Sequence, residues 1–365
     1  MKRRDFFALT ALTGLSAYAR DLAAEAKPGG AGAITDVAGV KVGHSTRTER
    51  PTGCTVLLTE EGATAGVDQR GGAPGTRETD LLNPMNVVEK VNAIVLSGGS
   101  AYGLATADGV MRYMEEKGFG YALGRGRVVP IVPAAILMDL NFPDSNHGGD
   151  WKIRPTADNG YKACAAASTN PPEQGSVGAG AGATIGKLGG PGRAMKGGFG
   201  TASVTLPNGI VIGAMVATNS VGDIWDHING KLVAGTRTAD GKHLADIMQL
   251  MRSGKLPMQQ PPKAENTAIG CIATNVTLTK SQVTKVTQMS TDGYALSIRP
   301  VHTLSDGDTI FGVATGKFKL APAEVERLLS MIGALAADVM AQAIVSSVLH
   351  ATGTPEFPSV SDLAA

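Results

Sequence analysis

The sequence predicts an α/β chain of close-packed layers, and three observations carry that expectation. Short aliphatic and β-branched runs, such as Ala93-Ile94-Val95-Leu96, alternate with segments whose apolar residues recur at helical spacing. The 48 glycines among 365 residues stand between Val, Ile and Ala with no collagen period, a pattern of tight turns and close backbone approach rather than of disorder. Apolar residues make up 43% of a chain long enough for one large or two ordinary domains, so a substantial core is expected. The net charge of +1, from 33 basic and 32 acidic residues, supplies no field for nucleic acid, and no patch interleaves basic with aromatic side chains. Nucleic acid is therefore not an expected partner.

The N-terminus pairs Arg3-Arg4 with an apolar run that ends in Ala17-Tyr18-Ala19. Twin arginines, an apolar core too short for a membrane span and an A-x-A site predict an export signal over residues 1–30, spacer included, and a periplasmic destination. Cys54, Cys164 and Cys271 leave at least one thiol unpaired and lack CxxC spacing, so no disulfide framework is expected. Buried before export, such thiols would survive an oxidising compartment.

Taken in order, 34–44 reads as a short strand with a turn at Ala38-Gly39, and 53–58 as a second, more apolar strand. Residues 66–80 begin as a strand and end in a glycine-rich loop of the kind that lines sites. The strand at 93–96 runs into Ser97-Gly98-Gly99-Ser100-Ala101-Tyr102, followed by a helix with Ala107, Val110, Met111 and Met114 inward. This glycine turn lacks GxGxxG spacing, so it predicts close approach to a site, with Tyr102 as a wall residue, rather than a nucleotide fold. Pro130 and Pro133 interrupt the apolar run 128–140, which should lie at an edge or approach the site irregularly.

A small-residue helix follows over 161–169, and then a glycine-rich loop delivers Lys187. That loop is not a phosphate loop, because Ala181 and Leu188 stand where GxxxxGK[ST] needs Gly and Ser or Thr. Residues 199–206 and 210–216, joined through Pro207-Asn208-Gly209, form the clearest hairpin, whose second strand delivers Asn219 at its end. A helix is expected near 243–251. Beyond it come a strand from 267, a helix over about 280–290, the run Ser305-Asp306-Gly307-Asp308 leading into a strand at 310–314, and a long apolar helix over 323–350. The acidic residues of that last helix favour packing on a sheet over crossing a membrane. Scattered histidines without ligand spacing predict no metal, and no cofactor motif is present.

The chemistry centres on Asn266-Thr267, where a two-proline linker at Pro261-Pro262 gives way to strand-forming residues. Alone, this dipeptide could simply start a strand. Cut there, the chain would present Thr267 with a hydroxyl nucleophile and a free α-amine whose ordinary pKa of about 7.7–8.0 suits it as a base. Asp306 and Asp308, one residue apart, could support such an amine.

The runs ITDVAGVKVGH (34–44), GVDQRGGAPGTRETDLL (66–82), AIVLSGGSAYGL (93–104), VPIVPAAILMDL (129–140), GAGAGATIGK (178–187), NT (266–267) and DGDT (306–309) together resemble the self-cleaving DmpA-type aminopeptidases, also called L-aminopeptidase/D-esterases. The Asn-Thr junction and the Asp-x-Asp pair look most like the nylon-oligomer endohydrolase branch. The resemblance implies a four-layer αββα sandwich like that of N-terminal nucleophile hydrolases with different connectivity, one self-processing domain over 31–365 and assembly into tetramers or larger. It also implies that Thr267 attacks the Asn266 carbonyl during maturation and later forms an acyl-enzyme. Asn219 would stabilise the oxyanion, Lys187 would add positive charge, and Asp306 and Asp308 would hold the amine and nucleophile. Met138 stands where the nylon-oligomer branch has a tyrosine, which removes a hydroxyl from the substrate pocket. The expected activity is release of N-terminal residues from short peptides or related amides. An endo-acting ω-amino-acid oligoamide hydrolase and a non-processing binding protein of the same fold are the alternatives.

Overall fold

The computed structural model describes residues 32–141, 150–256 and 266–364, so the expected export signal and the proline linker lie outside the described residues. Nine strands join one sheet: β1 (Lys41–Arg47), β2 (Thr52–Gln69), β3 (Thr76–Arg77), β4 (Lys90–Ser97), β5 (Ala134–Ile136), β6 (Gly198–Thr205), β7 (Val211–Asn219), β8 (Thr267–Val276) and β9 (Thr309–Phe318). Across the sheet they run β6-β7-β8-β9-β2-β4-β5-β3, with β1 beside β2. Neighbours are antiparallel except β8 with β9 and β4 with β5.

β2 is where this sheet folds over. Sequence pattern suggests two strands here, but one 18-residue strand runs through both. Its register against β4 shifts between Leu58 and Ala63, and Gly62 takes φ +80, which glycine adopts without a Cβ clash. β1 pairs with β2 from Thr52 to Leu58 and β9 pairs with it from Thr64 to Gln69, while β4 runs beside it from Cys54 to Thr64.

Alternation along each strand then sorts the core into layers. In β7, Ile212, Ala214 and Val216 face the helices α3 (Lys280–Ser290), α4 (Asp292–Ser297) and α5 (Pro322–Leu349). Met215 and Ala217 face inward. In β4, Ala93 and Val95 face α1 (Thr106–Glu116) and α2 (Ala157–Ala165), while Ile94 and Leu96 face inward. One inner cluster holds Ile94 and Leu96 together with Met215, Ile269 and Phe311, so the two halves of the sheet stack between helices. The αββα sandwich is therefore made by one sheet folded at β2. By length and composition α5 could cross a membrane; here Ile332, Ala336, Met340 and Ile344 are buried against the sheet.

Several local expectations are corrected. Residues 34–36 form a 3-10 turn and the strand begins only at Lys41, because Gly39 takes φ +91 between them. The helix expected over 161–169 is α2, which starts earlier because Thr156 and Asn159 cap its first turn. The helix near 243–251 is only Ile247–Arg252, begun by the Asp246 side chain accepting from Met248 and Gln249. In 128–140 the prolines leave β5 just three residues, yet it is not an edge strand, since β4 and β3 flank it. The three cysteines are free and buried, and burial pushes the Cys164 thiol up to about 12.

Candidate active site

The site forms where strand ends converge. Antiparallel pairing sets Asn219, the last residue of β7, opposite Thr267, the first of β8. Parallel pairing sets Thr309 beside Ile269, which carries the loop before β9 to the start of β8. Asn266 bridges Asp306 there, and both Asn266 and Thr267 are only 4% exposed.

The carbonyl of Asn266 is doubly engaged. It accepts the Gly307 N–H at 3.0 Å and the Thr267 hydroxyl. The hydroxyl thus lies against the peptide bond it would attack, and a backbone donor already addresses the oxygen on which charge would develop. Gly307 is required for this fit: a Cβ there would stand 2.9 Å from Thr267 Oγ1 and 2.7 Å from the Ala73 carbonyl. The glycine-rich loop after β2 backs the same turn, with Arg70 N–H donating to the Asp308 carbonyl at 3.1 Å and Ala73 N–H to the Asp306 carbonyl at 2.8 Å.

The Asn219 amide has a fixed orientation. Its Oδ1 accepts from Lys187 Nζ at 2.8 Å and from Thr184 N–H at 3.0 Å, and its Nδ2 donates to the Met138 carbonyl at 3.1 Å. Lys187 also donates to the Asn219 carbonyl at 3.1 Å. Gly186, at φ +68, turns the chain into the 3-10 helix that begins with Lys187.

The two carboxylates are held differently. Asp308 is saturated, Oδ1 accepting Ala268 N–H at 2.7 Å and Oδ2 accepting the His302 N–H at 3.1 Å with His302 Nδ1 at 2.9 Å. Asp306 accepts Thr303 N–H at 2.7 Å on Oδ2, while its buried Oδ1 has no hydrogen-bond partner. Burial, and then the like charge of Asp308, raise Asp306 from 3.8 to about 6; the Thr303 hydrogen bonds and Lys187 pull it the other way. The cluster therefore contains a carboxylate that changes protonation within the working range of a hydrolase.

Thr267, Asn266, Asn219, Lys187, Asp306 and Asp308 are thus brought together. Met138 joins through its carbonyl, while its half-buried side chain accepts Leu140 N–H on sulfur at 3.3 Å. Tyr102 instead is half exposed, with the Arg154 guanidinium 3.5 Å over its ring and Trp151 at 6.3 Å. Sequence reasoning missed Gly307, His302 and Ser305, whose Oγ accepts from Asn266 Nδ2 at 3.3 Å. Gly307 stood in view inside Asp-Gly-Asp, but a backbone donor has no sequence signature. Among the described residues no group of three His, Cys, Asp or Glu is placed to hold a metal ion.

A layered α/β sandwich brings a buried hydroxyl, a lysine, an amide and paired carboxylates together at its strand ends, the parts that a hydrolase with a hydroxyl nucleophile needs. Solved structures share this architecture. A beta-aminopeptidase from Burkholderia sp. aligns with TM-score 0.63 at 22% identity, covering 89% of this chain and 88% of that one. The L-aminopeptidase D-Ala-esterase/amidase of Ochrobactrum anthropi, described as a variant of the Ntn hydrolase fold, aligns with TM-score 0.63 at 20% identity over 93% of each chain. The chain belongs to peptidase family S58, whose family model matches residues 32–359. An uncharacterized aminopeptidase of Mycobacterium leprae is 42% identical over 349 residues, 89% of this chain and 92% of that one. A 6-aminohexanoate-oligomer endohydrolase of Agromyces sp. is 30% identical over 321 residues, 86% and 84% of the two chains. The family resemblance seen in the motifs holds across the chain, and the protein is a peptidase-family hydrolase.

Proposed function

We propose that the chain cuts itself between Asn266 and Thr267 and then hydrolyses N-terminal residues from short peptides or related amides. The observation that carries this reading is the shared engagement of the Asn266 carbonyl by the Thr267 hydroxyl and the Gly307 N–H. In maturation, Thr267 Oγ1 bonds to the Asn266 carbonyl carbon and gives up its proton, with the ionised Asp306 as acceptor. The Asn266–Thr267 C–N bond breaks, the proton passes to the departing nitrogen, and an ester joins Asn266 to Thr267. Water opens the ester, leaving an Asn266 carboxylate and a free Thr267 amine.

The amine is the base of turnover, since it exists only after the cut. It accepts the hydroxyl proton as Oγ1 attacks the substrate carbonyl, and returns a proton to the leaving amine. Lys187 and Asn219 supply positive charge and dipole to the oxyanion, while Asp308 holds the first turn of β8 and Asp306 steadies the ammonium form. Lys187 also restrains the amine's basicity, which two carboxylates alone would raise.

Intact mass of purified protein tests the reading. Two fragments meeting at Asn266-Thr267 are expected, and a single whole chain after long incubation at neutral pH would overturn it. Release of a free amino acid from a dipeptide amide, against internal cutting of an aminohexanoate oligomer, separates the aminopeptidase from an endo-acting enzyme like the Agromyces relative. The Arg3-Arg4 signal supports export to the periplasm, and three buried thiols are compatible with an oxidising compartment. Assembly of the cleaved units into tetramers or larger completes the proposal, with light scattering as its check.

A further inference from the structure

We infer that His302 is a positioning residue that fixes the Asp308 carboxylate and, through the Ala268 N–H that this carboxylate accepts, the start of the strand that carries Thr267. The inference rests on the Thr267 reading above. His302 grips one oxygen twice, by its N–H at 3.1 Å and its ring Nδ1 at 2.9 Å, while the other oxygen of Asp308 holds Ala268 N–H at 2.7 Å. A carboxylate held at both oxygens cannot turn. It therefore presents a constant face to the residue that follows the nucleophile.

The backbone of His302 sits at φ +56, a left-handed conformation unfavourable for a non-glycine residue. Such a conformation persists where surrounding contacts hold it. Here these are the double bond to Asp308 and a stack on the fully buried Tyr294 of α4, with centroids 6.0 Å apart and planes 25° from parallel.

Nδ1 facing a carboxylate oxygen carries the ring proton whenever Asp308 is ionised. Asp306 is the carboxylate with a buried, unpartnered oxygen. The other charged or titratable groups bearing on the pair are Lys187 and, behind the ring, Tyr294, whose hydroxyl burial pushes up. Arg299, on the same segment, is turned away over Trp225 at 5.0 Å.

The test compares full-length wild type, His302→Phe and His302→Asn by the rate of self-cleavage against pH, read as intact mass, with folding checked by near-UV circular dichroism. Phe keeps a ring on Tyr294 but has no donor. Self-cleavage at pH 7 should fall about tenfold or more, the scale of one hydrogen bond to a charged group. Asn tolerates left-handed backbone and sets an amide donor near the position of Nδ1, so it should stay within about threefold of wild type. A folded Phe variant with the wild-type rate overturns the inference, as does an Asn variant as impaired as Phe. Where Phe does not fold, Asn decides alone: retention of the rate supports the inference, and loss overturns it. Wild type that never cuts overturns the Thr267 reading itself, an outcome distinct from both.

Discussion

Two buried carboxylate sites lie on either side of the Asn219 amide, and they are built on opposite terms. Asp139, next to the Met138 carbonyl that holds Asn219, is paired with Arg50, and both side chains are fully buried. Its Oδ1 accepts Gly99 N–H at 2.8 Å and Arg50 Nη2 at 3.3 Å, and its Oδ2 accepts the Thr52 hydroxyl at 2.5 Å. Arg50 is itself satisfied by the carbonyls of Ile153 at 2.7 Å and Asp139 at 2.5 Å. The Asp306–Asp308 pair instead sets two like charges together and leaves one oxygen without a hydrogen bond. A balanced buried charge holds geometry. An unbalanced one keeps a proton equilibrium near neutrality, which costs stability and serves chemistry.

Substitutions should separate these two kinds of site. The largest effect is expected at the nucleophile: Thr267→Ala should leave one folded, whole chain and lower hydrolysis by at least ~10³-fold, the scale of losing a nucleophile. Full processing in that variant would end the assignment. In the same uncut background, Arg50→Leu should lower stability by about 3–5 kcal/mol in urea unfolding, because it strands Asp139 in the core. A loss below about 1 kcal/mol would show that the pair is not the support described.

Asp306→Asn should act with the opposite sign on stability. The folded pKa of about 6 exceeds the unfolded 3.8, so the carboxyl favours folding below about pH 4 and loses that contribution as pH rises through 6. In the Thr267→Ala background the Asn variant should therefore gain up to ~3 kcal/mol at pH 8, two pKa units' worth, and nothing at pH 3.5. Self-cleavage of wild type should fall as pH drops through about 6, and Asp306→Asn in an otherwise native chain should cut slowly at every pH. An Asn variant no more stable than its parent at pH 8 would place the strain elsewhere. The smallest effect on stability is expected for Gly307→Ala, about 1–3 kcal/mol from crowding Thr267 Oγ1 and the Ala73 carbonyl, with slower self-cleavage at normal secondary structure.

Much of this site was legible before the fold was known. Asn219 and Thr267 stood at the ends of strands that alternation marks, and Asp306 and Asp308 bracketed the start of another, so convergence needed only the pairing. Pairing itself has no local signature, and neither does a backbone donor such as the Gly307 N–H. The bend in β2 was hidden for a related reason. Glu60, Glu61 and Gly62 look like a break between strands, yet Glu60 reaches Lys41 at 2.8 Å and Glu61 pairs with Lys317 while the ladder continues. Tyr102 was placed on the wall because glycines precede it. The same glycines let Ser100 N–H reach the Leu137 carbonyl at 3.0 Å, and the ring is taken up by Arg154.

The strand order has a consequence for the cleaved molecule. The fragment that begins at Thr267 contributes β8 and β9, and these lie between β7 on one side and β2 on the other, both from the preceding fragment. Two polypeptides would then be interleaved like the leaves of two folded sheets of paper, an arrangement that a single chain reaches by an intramolecular search. After the proposed cut, recovery from full unfolding would become a bimolecular reaction between partners that no longer share a tether. The mature protein should survive heat and denaturant by slow unfolding, yet fail to recover at high dilution, while the uncut Thr267→Ala chain recovers independently of concentration. Its architecture would be written by a connection that it no longer possesses.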